Sequence, residues 1–139
     1  MLKVVCGVDI QGSTAVVVTL SGDRKNPELM LSAVKKIELK DDNNQADIHS
    51  FRQTIASYIN SEGITDVSIK KRASKGQFSA GAASFKIESI FQTLDVPVTL
   101  VHTATIAATL RKQPIDLDKF NLLKYQVDAF TVAYYLLEE

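Results

Sequence analysis

A chain of 139 residues, 45% hydrophobic and 23% charged, is long enough for one compact domain with a single core, and residues 1–139 read as one such domain. Sixteen basic against sixteen acidic residues give zero formal charge, which excludes a strongly basic, non-specific nucleic-acid binder but not a local basic patch. No apolar run nears the ~20 residues of a membrane span. No leader is apparent ahead of the first apolar stretch, and the single cysteine, Cys6, cannot close an internal disulfide, so a cytoplasmic protein without a membrane partner is expected. One cysteine and two distant histidines, His49 and His102, exclude a zinc pattern.

In chain order, residues 3–9 and 14–21 read as two strands joined by the tight turn Gln11-Gly12-Ser13. Residues 30–39 form a third strand, which Lys35 and Lys36 mark as a sheet edge. The polar run 41–44 leads to a helix over 45–61, with Ile48, Phe51, Ile55, Tyr58 and Ile59 on one face and Gly63 as its stop. A fourth strand is predicted over 66–72, a loop at 75–77, a helix over 78–94, and an apolar fifth strand over 96–102. A short helix over 103–112, a break at 113–116 and a final helix over 117–137 complete the chain. This order predicts an α/β fold: a mixed five-stranded sheet, order 3-2-1-4-5 with strand 2 antiparallel, and helices on both faces.

Asp9 ends an otherwise apolar strand. A carboxylate there is costly to desolvate unless a charge or hydrogen bond meets it, which makes it a candidate for a metal, a phosphate or a proton. Its alternative is a turn residue accepting bonds from the loop at 11–13, where Gln11, Ser13 and Thr14 could instead donate to a phosphate. Lys70, Lys71, Arg72 and Lys75 form the dense basic cluster of the sequence, at the carboxyl end of a central strand where open α/β sheets bind ligands. Strand alternation sends Lys70 and Lys71 to opposite faces, so one of them points inward near Asp9; solvent is the alternative. His102 ends the fifth strand on the same edge, as a proton shuttle, a ligand or an ordinary structural histidine. Cys6 reads as a small core residue. Phe130, Tyr134 and Tyr135 offer either an apolar homodimer interface or plain packing on the sheet.

The stretch Gly7-Val8-Asp9-Ile10-Gln11-Gly12-Ser13 resembles the first-strand motif of the RuvC-like Holliday junction resolvases and the similar YqgF-like proteins, of the RNase H-like fold. Val127-Asp128-Ala129-Phe130-Thr131-Val132-Ala133 resembles the start of their last helix, which carries a metal-binding acid. The resemblance extends over nearly the whole chain as element order, but over only short pieces as residues. It implies a bacterial family of that fold whose activity is uncharacterised, with Asp9 and Asp128 as catalytic and Mg²⁺-binding residues. Two departures stand against it: the family's glutamate at the end of the fourth strand is matched by Lys70, and Tyr125 takes the place of a second acid one turn before Asp128. Two-metal phosphodiester chemistry needs several carboxylates around two cations.

Three readings follow. The first is a degenerate RuvC-like relative that binds nucleic acid through Lys70, Lys71, Arg72 and Lys75 without cleaving it. The second is an Mg²⁺-dependent nuclease with a rebuilt site using Asp9, Asp128 and either Glu88 or a partner subunit's acid. The third is a non-enzymatic interaction module, a homodimer among its forms. Zero net charge and Lys70 favour the first and third.

Overall fold

The computed structural model describes residues 3–32, 34–71 and 81–137. Strand β1 (Val4–Gln11) turns back through Gly12, at φ 62°, into β2 (Thr14–Gly22): the hairpin is as expected, but β1 runs on past Asp9 to Gln11 and leaves a two-residue loop. Two short strands, β3 (Pro27–Met30) and β4 (Lys36–Glu38), both pair antiparallel with β2. Helix α1 (Gln45–Ser61) follows, capped by the Asn44 side chain accepting from the Asp47 N–H. Strand β5 (Asp66–Lys70) lies parallel to β1, and after helix α2 (Ala82–Phe91), β6 (Val98–Val101) lies parallel to β5. Helix α3 (Thr103–Lys112) and helix α4 (Val127–Leu136) close the fold. The sheet runs β3-β2-β1-β5-β6, with β4 also on β2.

Its two faces are covered by different helices. Cys6, Val8 and Ile10 of β1 point into a core shared with Phe51, Ile55 and Ile59 of α1 and with Ile87, Ile90 and Phe91 of α2. Val5, Val16, Val18 and Leu20 point the other way, onto Ala129, Phe130, Ala133 and Tyr134 of α4. Gly7, on that second face, is where α4 touches the sheet: a Cβ there would lie 1.9 Å from the Ala129 carbonyl oxygen and 2.7 Å from the Ala133 Cβ.

The structure corrects several boundaries, among them the end of the fourth strand, predicted at residue 72 and found at Lys70. The predicted third strand over 30–39 keeps only Lys36–Glu38, and a strand not predicted, Pro27–Met30, precedes it; the chain leaves the ladder at Leu31, which is 91% exposed, and returns when the Lys35 carbonyl accepts from the Val17 N–H. The sheet is therefore six-stranded rather than five-stranded. The predicted last helix begins ten residues late, at Val127 rather than at residue 117. Before it lie two single 3₁₀ turns, Leu117–Phe120 and Lys124–Gln126, because Asp116 caps the first and Asn121, left-handed at φ 51°, terminates it. The second helix stops at Phe91 and the last strand spans only Val98–Val101. The loop expected at 75–77 and the start of the second helix at 78–80 lie outside the described residues.

Cys6 is buried, as expected of a core residue, and desolvation pushes its thiol up to about 12 from 9.0. Tyr58, whose hydroxyl is 2.8 Å from that of Thr19, is pushed up to about 12 from 10.0, mainly by burial and secondarily by the nearby Cys6. Both groups hold their protons more tightly when folded. Their contribution to stability is therefore fully present below pH 9 and is lost as the pH climbs through 10 toward 12. Chemical denaturation across that range should show this fall, and Cys6→Ala should flatten it. Gly7→Ala should lower the unfolding free energy by about 3 kcal/mol, because backbone and not a flexible side chain stands in the way of the new methyl.

Candidate functional site

Helix α4 runs antiparallel to β1 and β5. The Ser68 hydroxyl donates to the Val132 carbonyl at 2.7 Å, and Lys70, two residues further along β5, meets Asp128, one turn nearer the start of α4. The first turn of α4 thus lies over the carboxyl ends of β1 and β5. Asp9 belongs there: it alternates with Val5 and Gly7, so it points to the α4 side, and it is only 4% exposed. Lys70 follows the Val8–Ile69 register pair just as Asp9 does, so the two are neighbours across the parallel ladder.

Each carboxylate has a partner within the chain. The Gln11 side-chain amide donates to Asp9 Oδ2 at 2.9 Å, an i to i+2 contact along one face of β1. This bond and the positive end of α4 both offset the cost of burying the charge. Lys70 Nζ stands 2.8 Å from Asp128 Oδ2, with the two side chains 26% and 52% exposed. A pair so open to water contributes under about 1 kcal/mol. Its consequence is electrostatic: an ammonium paired with Asp128, on the strand beside Asp9, repels a divalent cation from that carboxylate. Among the described residues, no group of three His, Cys, Asp or Glu side chains could hold a metal ion. These residues do not fit a two-cation centre, which needs several carboxylates free of such pairing.

The remaining candidates divide. Gln11 is engaged with Asp9 through its amide. Ser13 is partly buried and its carbonyl accepts from the Leu39 N–H at 2.8 Å, which ties the hairpin tip to the chain after β4. Lys71 is exposed just beyond β5, and its N–H donates to the Val101 carbonyl at 2.9 Å. It shares the edge with Lys70, which is the member of the pair that turns inward. His102 is exposed at the start of α3, on the same edge, without a side-chain capping bond. Arg72 and Lys75 lie outside the described residues. Glu88 is buried on α2, whose side chains fill the core on the opposite face from Asp9, and it joins no cluster of acids with Asp9 and Asp128.

Sequence reasoning missed one contact. Lys36 Nζ sits over the Tyr125 ring, 4.1 Å from its centroid. Tyr125 stands one turn before Asp128, and Lys36 is far away in sequence. Only the split of the edge strand and the late start of α4 bring the two together, and neither was readable from local pattern.

The chain belongs to the family described as "Protein of unknown function (DUF3010)", whose model matches residues 3–136. No curated protein matches it. Among solved structures it is similar to Thermus thermophilus RuvC in complex with Holliday junction substrate: TM-score 0.67, 11% identity, 96% of this chain and 92% of that one covered. A second Thermus thermophilus RuvC structure matches with TM-score 0.64 and 11% identity, over 97% of this chain and 92% of that one. The Fowlpox virus resolvase in complex with Holliday junction DNA follows, with TM-score 0.50 and 14% identity over 94% of this chain and 93% of that one. The fold is therefore RNase H-like, of the RuvC kind, as the element order implied.

Asp128→Asn should change the unfolding free energy by less than about 1 kcal/mol in chemical denaturation, because the ion pair that it removes is half open to water.

Proposed function

We propose that this protein is a RuvC-like nucleic-acid-binding protein that does not cleave its substrate. The observation that carries the reading is the ion pair between Lys70 and Asp128 at 2.8 Å. Phosphodiester hydrolysis on this scaffold needs carboxylates able to gather divalent cations around the scissile phosphate. A lysine on the strand next to Asp9 repels such a cation and neutralises one of the two carboxylates. The same lysine, with Lys71 and His102 along the carboxyl edge, suits a phosphate backbone instead. The RuvC and poxvirus resolvase structures that share this fold hold Holliday junction DNA, so a branched duplex is the first substrate to try. Binding through this edge is compatible with zero net charge, since only a local patch is required.

The test combines binding and cleavage. The protein should retain a labelled four-way DNA junction, more weakly as salt rises, and leave it intact in Mg²⁺ or Mn²⁺. Calorimetry should detect no tight divalent-cation binding to the wild-type protein. Lys70→Glu, which puts an acid on the strand beside Asp9 in place of the lysine that pairs with Asp128, should create such binding, and Lys70→Glu combined with Asp9→Asn should abolish it. Junction cleavage by the wild-type protein that is lost in Asp9→Asn would overturn the reading in favour of an Mg²⁺-dependent nuclease.

A further inference from the structure

A second cation, Lys36, lies in the same row as Asp9, two strands away on the side opposite Lys70. The ladder pairs Asp9 of β1 with Val16 of β2, and Val16 with Lys36 of β4. Directly paired residues share a face, so Lys36, Val16, Asp9 and the neighbouring Lys70 form one row across the sheet on the α4 side. Adjacent strands lie about 4.8 Å apart, which puts the backbones at Lys36 and Lys70 roughly 14 Å from each other. One strand of a duplex carries about four phosphates over that length of axis, at one per 3.4 Å.

The two lysines are held differently. Lys70 is neutralised by a carboxylate, whereas Lys36 rests on the face of an aromatic ring. A ring quadrupole orients an ammonium without cancelling its charge. Lys36 is thus an ordered, exposed cation that keeps its field, and Lys124, exposed and adjacent to Tyr125 in the chain, adds to it. The nearest opposing charge along β4 is Glu38, two residues on and on the same face of the strand.

We propose that Lys36, seated on Tyr125, is a second contact for nucleic-acid backbone phosphate, so that the binding surface runs from Lys70 at the carboxyl edge of β5, over the turn at Tyr125 and the start of α4 that cover the buried Asp9 and Val16, to Lys36 on β4. This rests on the nucleic-acid reading above. It adds a contact that neither the basic cluster at 70–75 nor the acidic pattern of the fold supplies. Lys70 must exchange Asp128 for a phosphate before it contributes, whereas among the described residues Lys36 is in no ion pair with a carboxylate. Lys36 therefore contributes more to the salt dependence than Lys70 does.

The experiment measures binding of fluorescein-labelled four-way junction DNA by anisotropy over a series of salt concentrations. Lys36→Gln should weaken binding and reduce the slope of log K against log salt by about 0.9, the value of one phosphate contact on duplex DNA. Lys36→Arg should preserve the slope. Tyr125→Leu should weaken binding by releasing Lys36, Glu38→Gln should tighten it, and Lys112→Gln, at the far end of α3, should change nothing. Circular dichroism checks that each variant is folded. Should Lys36→Gln fail that check, Lys36→Met and Lys36→Arg measured together make the same comparison of charge lost against charge kept. Wild-type binding with an unchanged slope when the charge at Lys36 is removed would overturn this inference and leave the nucleic-acid reading standing. No binding by the wild-type protein at any salt concentration would overturn both.

Discussion

Everything at the candidate site depends on how closely α4 approaches β1. The helix can lie on the sheet only because residue 7 has no side chain, with the Ala129 carbonyl and Ala133 occupying the space that a Cβ would need. That contact fixes the height of α4, and the Ser68 bond to the Val132 carbonyl fixes its position along the strands. With both set, Asp128 has only one place to go, over the end of β5, and Lys70 is there to meet it. A larger residue at position 7 would lift the helix and dissolve the site along with part of the core.

The parts of this fold that could be read from the sequence are those decided by local pattern. Helix α1 has the predicted ends because Asn44 caps it and four apolar positions recur at helical spacing. Helix α3 and the first hairpin are likewise local matters. The limits of the edge strand and the last helix depart from local pattern because they are set elsewhere in the fold. Leu31 is apolar enough to extend a strand, yet it is 91% exposed and none of the described residues covers it. The segment at 117–126 has helical composition, but Asp116 and Asn121 bend it into separate turns.

At the site, Asp9 was legible because one acid in an apolar strand demands an explanation, and its position beside Lys70 follows from parallel register. The partner of Lys70 was not legible. Sequence alternation says which face a side chain takes, but not which of two acids on that face it will reach. Asp9 is reached instead by Gln11, a contact that the turn chemistry hinted at in a different form, as backbone N–H bonds from the loop. The Lys36–Tyr125 contact lay beyond any pattern argument, since it joins an edge strand to a turn through two elements whose limits were themselves misplaced.

The interrupted edge has a consequence for how copies of the chain can meet. A long uncovered strand offers a continuous row of backbone donors and acceptors on which a neighbour can extend the sheet. Here the outer side of β2 is occupied by two fragments, four and three residues long, that turn away between Met30 and Lys36. A foreign strand would find no straight template of useful length, and two lysines stand where the second fragment begins. The same break that seats Lys36 on its ring thus guards this edge of the sheet, though not the β6 edge, against strand addition by another copy.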